Sequence, residues 1–372
     1  MSNLAAVTIR NIECSPAVQD ALRIDRSAIA SLLRLSARIG RDPLLVHASS
    51  GNTSLKLNGT LWIKASGKWL ANADQEAILV PVALSECLQR MNEGRPFAAA
   101  DPSTCTNALS PSIETFMHAV LPQRFVVHVH CVNTLAWAVR SDAPFRLEEK
   151  LSGLSWQWIP YLPSGLPLAR AVQIASSMRP QTNIFVLGNH GLVVSGEDCA
   201  EVDSVLAEVQ RRLSVHPRPF PQPKFDILQR AQRISGWRLP DSESLHSLGT
   251  DAISRRIIKG GVLYPCQAIF LRPSFTFLGT PFDLSSAASQ VRPLDMSCPF
   301  LIVEGSGILI NDGITAADYA VLNGFSEVVR RIDMSAPLRY LTDDEVTSVL
   351  SDDGHRYRIS AESSALRPLA HA

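Results

Sequence analysis

The sequence predicts an α/β protein in two domains, and three observations carry that prediction. Segments whose apolar residues recur at helical spacing alternate with short β-favouring runs bounded by Gly, Asn and Ser. The 372 residues exceed one ordinary domain at roughly 150 residues each. The segment HPRPFPQPKF, residues 216–225, places four prolines in ten positions, the mark of a linker. The expected organisation is a first domain over residues 1–215, the Pro-rich linker over 216–225, and a smaller α/β domain over 226–372.

With 46% hydrophobic and 19% charged residues, the chain can bury a sizeable core throughout. Lys plus Arg equals Asp plus Glu at 35 each, so no net field draws it to nucleic acid or to an anionic membrane. The sequence lacks an apolar run of about 18 residues, and the start MSNLAAVTIRNIECS lacks signal-peptide character. A soluble, cytoplasmic protein is expected. Cys14, Cys87, Cys105, Cys131, Cys199, Cys266 and Cys298 are scattered with no CxxC pair, which reads as reduced and mostly buried thiols. The formal glycosylation sequons at Asn52 and Asn58 carry no weight without a secretory signal.

The first element is a helix through DRSAIASLLRLSARIG, where Ala28, Leu32, Leu35 and Ile39 share a face and Gly40 with Pro43 supplies the stop. HASSGNTSLKLNGTLWIKASG reads as strands joined by tight turns. PSIETFMHAV reads as a helix opened by Pro111 and Ser112, followed by the strand RFVVHVHCV, whose alternation puts His128 and His130 on one face. The helix NTLAWAV leaves that strand. After the turn-rich PYLPSGLP come a further helix and the strand segment IFVLGNHGLVVSG with His190. A helix with Val202, Val205, Leu206, Val209 and Leu213 on one face closes the unit.

Beyond the linker, residues 300–332 can be laid on residues 184–213. The helix face repeats as Val321, Gly324, Phe325, Val328 and Ile332, each 119 residues after its counterpart. The position matching His190 is close to Ser306, and no HxH pair occurs in the second half. Residues 226–372 thus read either as a degenerate partial repeat without a metal site or as a chance likeness.

An HxH pair on a strand projects two imidazoles to one side, about 7 Å apart at the backbone, a spacing that can chelate one ion. His190, flanked by glycines that allow close backbone approach, is the candidate third ligand. Three histidines leave one coordination position open, as catalytic zinc sites do. GSGILI at 305–310 has two of the three glycines of a dinucleotide fingerprint and leads into a strand, which argues against NAD binding.

GNTSLK, IKASG, PSIET, HVH and NHG, in that order over residues 45–215, resemble the motifs of the class II aldolase and adducin family. They are most similar to a bacterial branch that includes the aldolase part of fusions with short-chain dehydrogenases. The resemblance implies an α/β/α domain with a largely antiparallel central sheet, and a homo-oligomer, often a tetramer. It implies that His128, His130 and His190 bind Zn2+, or another divalent ion such as Mn2+, Co2+ or Fe2+, and that Glu114 moves a proton. It further implies that Asn52, Ser66, Gly67 and Ser112 hold the substrate, and that Tyr161 in IPYLPSG donates a proton. The implied reaction is a lyase reaction of carbohydrate metabolism, reversible retro-aldol cleavage of a small hydroxycarbonyl compound, phosphorylated or not.

Ile113 stands where sugar-phosphate aldolases commonly have a second serine, which removes a phosphate donor; Lys64 and Lys68 are the nearby charges. The resemblance also reaches epimerases, decarboxylases and oxygenases on the same scaffold, and non-catalytic adducin-like assembly proteins. Three retained histidines and Glu114 favour an enzyme.

Overall fold

The computed structural model describes residues 16–95, 109–233, 236–279 and 298–356. Cys14, Cys105 and the start of the chain, where no signal peptide was expected, lie outside these. The first helix, Pro16–Gly40, begins well before the predicted segment and buries Leu32, Leu35 and Ile39.

A seven-stranded sheet follows: β1 (Asn52–Leu57), β2 (Thr60–Lys64), β3 (Leu79–Ala83), β4 (Phe125–Val129), β5 (Trp156–Ile159), β6 (Ile184–Leu187) and β7 (Gly191–Gly196). Its order is β3-β2-β1-β4-β7-β6-β5. Every pairing is antiparallel except β5 with β6. The β1–β2 hairpin turns on Asn58 and Gly59, both at positive φ (48° and 74°), the backbone that a two-residue Asn-Gly turn demands.

Successive side chains of β4 sort into two cores. Phe125, Val127 and Val129 pack with the helices Pro16–Gly40 and Cys199–Leu213. Val126 packs with helices Leu84–Asn92, Thr115–Val120 and Leu166–Met178 on the other face. That period of two, buried on both sides, makes the unit an α/β/α sandwich. The predicted helix PSIETFMHAV starts only at Thr115. Pro111 is held in a bridge to Ala65, and Ser112 folds its Oγ onto the Glu114 amide, so the first residues of the motif form a turn.

The second half builds a four-stranded sheet from β8 (Trp237–Arg238), β9 (Thr276–Leu278), β10 (Phe300–Val303) and β11 (Gly307–Asn311), in the order β8-β11-β10-β9. Its strand senses are those of β4-β7-β6-β5: antiparallel, antiparallel, parallel. Val303 pairs with Gly307 as Leu187 pairs with Gly191, and the middle turn residue has positive φ in both hairpins (Asn189 50°, Gly305 69°). The helix Ala316–Arg331 follows as Cys199–Leu213 does.

One hydrophobic core joins the halves. Val132, Leu135, Ala136 and Val139 of the first pack with Val321, Phe325, Val328 and the segment 262–271 of the second. The helix Val132–Ala138 is buried there at every residue but Trp137, the polar Asn133 and Thr134 included. The Pro-rich segment is fastened rather than loose: Arg218 donates to Asp251 Oδ2 (3.0 Å) and Val329 O (3.1 Å), and its backbone amide donates to Arg330 O (2.8 Å). No helix among the described residues is long and apolar enough to cross a membrane. Of the described cysteines, Cys87, Cys131, Cys266 and Cys298 are buried.

At Gly324 the two halves touch closely, because the buried His47 ring lies against it. A β-carbon there would stand 2.1 Å from His47 Nε2, which itself lies 2.8 Å from Pro43 O. Gly324→Val should therefore lower stability by about 1–3 kcal/mol through overpacking, read as a lower denaturant midpoint; an unchanged midpoint would contradict this packing.

Candidate metal centre

His128 lies on β4, His130 just past its end, and His190 closes the β6–β7 turn. Because β7 pairs with β4, Val129 stands opposite Leu192, and the three histidines come to the same end of the sheet. Gly191 makes the approach possible: a β-carbon there would lie 2.5 Å from Val129 O and 3.1 Å from the His130 ring. His128 Nε2 and His130 Nε2 are 2.9 Å apart. The three ring centroids are 4.8, 4.9 and 5.0 Å apart, each pair edge-on. One donor atom from each ring lies within 4.8 Å of the others, and all three rings are buried.

This donor set fits a divalent cation. Two nitrogens bound to one tetrahedral zinc at 2.0–2.1 Å stand about 3.3 Å apart, so the cluster needs little adjustment to share an ion. His128 Nδ1 is 3.0 Å from Leu192 O; a carbonyl only accepts, so Nδ1 carries a proton and Nε2 is the atom that faces the cluster.

Glu114 caps the helix Thr115–Val120 and points at the same three rings, with Oε2 3.3 Å from His128 Nε2 and Oε1 3.1 Å from His190 Nε2. Burial alone would push its carboxyl up. The charges of His128 and His190, a hydrogen bond from His190 and the charge of His130 outweigh burial and hold it well below the usual carboxylate range.

Asn52, expected to hold the substrate, lines the pocket and aims its amide at Glu114. Its amide donates to Oε2 (2.8 Å) and to Ser112 Oγ (3.1 Å). Behind it, His118 Nε2 bonds Asn52 Oδ1, and His118 Nδ1 meets Ser54 Oγ at 2.7 Å. These partners dictate a relay of donors from Ser54 through His118 and Asn52 to the carboxylate. Burial, then the neighbouring His128, holds the His118 ring well below its ordinary pKa, and so neutral.

The pocket in front of the rings is lined by Asn52, Ser66, Ser112, Ile113 and Glu114, among others. Ser112 and Ser66 are where the motifs place them, and Ile113 forms an apolar patch of the wall. Gly67 is not in the lining; with φ at 76° it turns the chain beside Ser66. Lys64, readable in sequence as a solvated strand lysine, is 2% exposed on the pocket wall, donating to Ser49 O (2.9 Å) and Lys68 O (2.5 Å). Lys68 is spent on Glu76 at 2.6 Å.

Tyr161, expected to donate a proton, is not among the pocket-lining residues; it joins the core between the halves, with the Arg339 guanidinium 5.1 Å above its ring. Burial, with the nearby Glu345, raises its hydroxyl to about 12, opposite to what an easily released proton needs. Residues that sequence reasoning missed also line the pocket: Ser49 and Ser164 from loops of the first half, and Pro265, Cys266, Ile269 and His355 from the second. Nothing local in the sequence marks these contacts.

Metal analysis should find near-stoichiometric divalent metal in the purified protein and background metal in a His128→Ala, His130→Ala variant. Equal metal in both would remove the site.

The profile of the class II aldolase and adducin N-terminal domain matches residues 30–216. An uncharacterized oxidoreductase of Bacillus subtilis, YuxG, is 26% identical over 191 residues; the match covers 45% of this chain and 26% of that relative's length. Among solved structures, the N-terminal class II aldolase domain of a conserved Thermoplasma acidophilum protein is 24% identical, with 57% of this chain and 97% of that chain covered and a TM-score of 0.42. The L-fuculose-1-phosphate aldolase of Thermus thermophilus is 18% identical, with 56% and 99% covered and a TM-score of 0.34. With half its length matched by that profile and the five motifs in order, the chain belongs to the class II aldolase and adducin N-terminal domain family.

Proposed function

We propose that this chain is a divalent-metal-dependent lyase that catalyses reversible retro-aldol cleavage of a hydroxylated carbonyl compound. The observation that carries the proposal is the convergence of the Glu114 carboxylate with three buried imidazole nitrogens at 3.1–3.3 Å from two of them. Zinc suits the all-imidazole donor set, and manganese, cobalt or iron would also be accepted.

In the cleavage direction the substrate's carbinol hydroxyl loses its proton, the adjoining carbon–carbon bond breaks, and the electron pair stays on the carbon beside the carbonyl. That carbon is then protonated. A bound dication supplies Lewis-acid stabilisation for the negative oxygen of this arrangement. His128, His130 and His190 hold it. Glu114, ionised in its surroundings, takes the hydroxyl proton and returns it to carbon. Asn52, braced by His118, grips Oε2 and leaves Oε1 for transfer, with Ser164 Oγ 3.5 Å from that oxygen. Ser66, Ser112 and the buried Lys64 present polar groups to the far end of the substrate. The apolar Ile113 beside them favours substrates smaller or less charged than a sugar phosphate.

Glu114→Gln should keep its metal and lose about 100- to 10,000-fold in turnover, the usual worth of a positioned acid/base. Undiminished turnover would exclude the role. Assaying ketose 1-phosphates beside unphosphorylated aldols checks the substrate class: the Ile113 wall predicts higher kcat/KM for the unphosphorylated series, and a strong preference for phosphates would contradict it.

A further inference from the structure

Two of the three imidazoles are steadied by side chains and carbonyls that come from the other half of the chain. The Nε2 of His130 faces the cluster, so its Nδ1 is the rear of the ring, and there stands Cys266 Sγ at 3.3 Å, 136 residues away in sequence. His190 sits in a turn whose middle residue, Asn189, has φ at 50°. The Asn189 amide nitrogen donates to Leu263 O and to Arg339 O, both at 2.8 Å, and its oxygen accepts from the Arg339 guanidinium at 3.2 Å. These partners lie 74 and 150 residues away. His128, by contrast, is held by Leu192 O from the adjoining strand.

The supports are themselves hydrogen-bonded in place. Gln267, fully buried in the π-helical turn Gln267–Leu271, takes the Leu263 amide on its Oε1 at 2.8 Å. Arg339 is fixed at its backbone amide by Val139 O (2.8 Å) and at its guanidinium by Glu345 (2.6 Å). Pro265, Ile269 and His355 of the same half line the pocket itself.

We infer that the C-terminal half is the outer support of the metal centre: Cys266 accepts from the His130 Nδ1–H and fixes that ring, while Leu263 and Arg339 clamp Asn189 and so aim His190. Cys266 and Asn189 are positioning residues, not ligands. The inference rests on the reading that the three imidazoles share one cation. It explains why a second half without an HxH pair is folded against the first. Partners of the outer nitrogen set a ligating imidazole's tautomer and direction, and losing them typically weakens metal binding by about 10- to 100-fold. Because coupling is reciprocal, metal must in turn stiffen residues 262–271 and the strap around Arg339.

The test uses the full chain loaded with Zn2+ or Co2+ and a competing chelator. Cys266→Val and Asn189→Gly, the latter keeping a residue at ease with positive φ, should bind metal about 10- to 100-fold more weakly. Cys266→Ser, which keeps an acceptor, should stay within a few-fold of the parent. The Co2+ spectrum of the parent should show no thiolate-to-metal band. Hydrogen exchange of the parent should slow on metal loading in 262–271 and 338–341 as well as around the histidines. Equal affinity in all variants, or exchange unchanged in the C-terminal segments, overturns the inference while leaving the metal site standing. A thiolate band that vanishes in Cys266→Val makes Cys266 a ligand and likewise overturns it. A parent chain that binds no metal removes the underlying reading. If a variant fails to fold, the exchange measurement on the parent decides alone.

Discussion

Three buried imidazoles, those of His128, His130 and His190, bring ring nitrogens together in one space beside the Glu114 carboxylate. That convergence is a donor set a divalent cation would satisfy. The surrounding structure serves the convergence. The β4–β7 pairing sets HVH opposite the NHG turn, and Gly191 lets the rings close up. Glu114 is buried in the same space, where the positive character of the cluster outweighs burial and holds its carboxyl low.

The carboxylate has its own support, built from ordinary side chains. Ser54 on β1, His118 one turn after Glu114, and Asn52 at the start of β1 form a hydrogen-bonded line that ends on Oε2. Each member is buried, so the line is satisfied internally or not at all. Asn52 belongs to this line and also lines the pocket. Its motif position was legible; the direction of its amide was not, because that depends on His118, which local sequence pattern gives no reason to single out.

Other expectations divide along the same boundary. The strand alternation placed His128 and His130 on one face, and glycines around His190 signalled a close backbone approach, since these depend on neighbours two or three residues away. The largely antiparallel sheet followed from the family motifs. Tyr161 and Lys64 behaved otherwise because their surroundings are supplied from far along the chain: Arg339 and the second core for Tyr161, the carbonyls of Ser49 and Lys68 for Lys64. Cys266 and His355 reach the pocket from a half that showed no metal motif. The likeness between residues 184–213 and 300–332 was visible in sequence, and the structure gives both the same hairpin register and following helix.

X-ray absorption at the zinc edge of the loaded full chain tests the central claim most directly. Three imidazole nitrogens sharing one ion predict nitrogen or oxygen scatterers alone at about 2.0–2.1 Å, with the outer-shell pattern of three imidazole rings. A sulfur scatterer at about 2.3 Å, or a first shell with fewer than three imidazoles, would contradict the account.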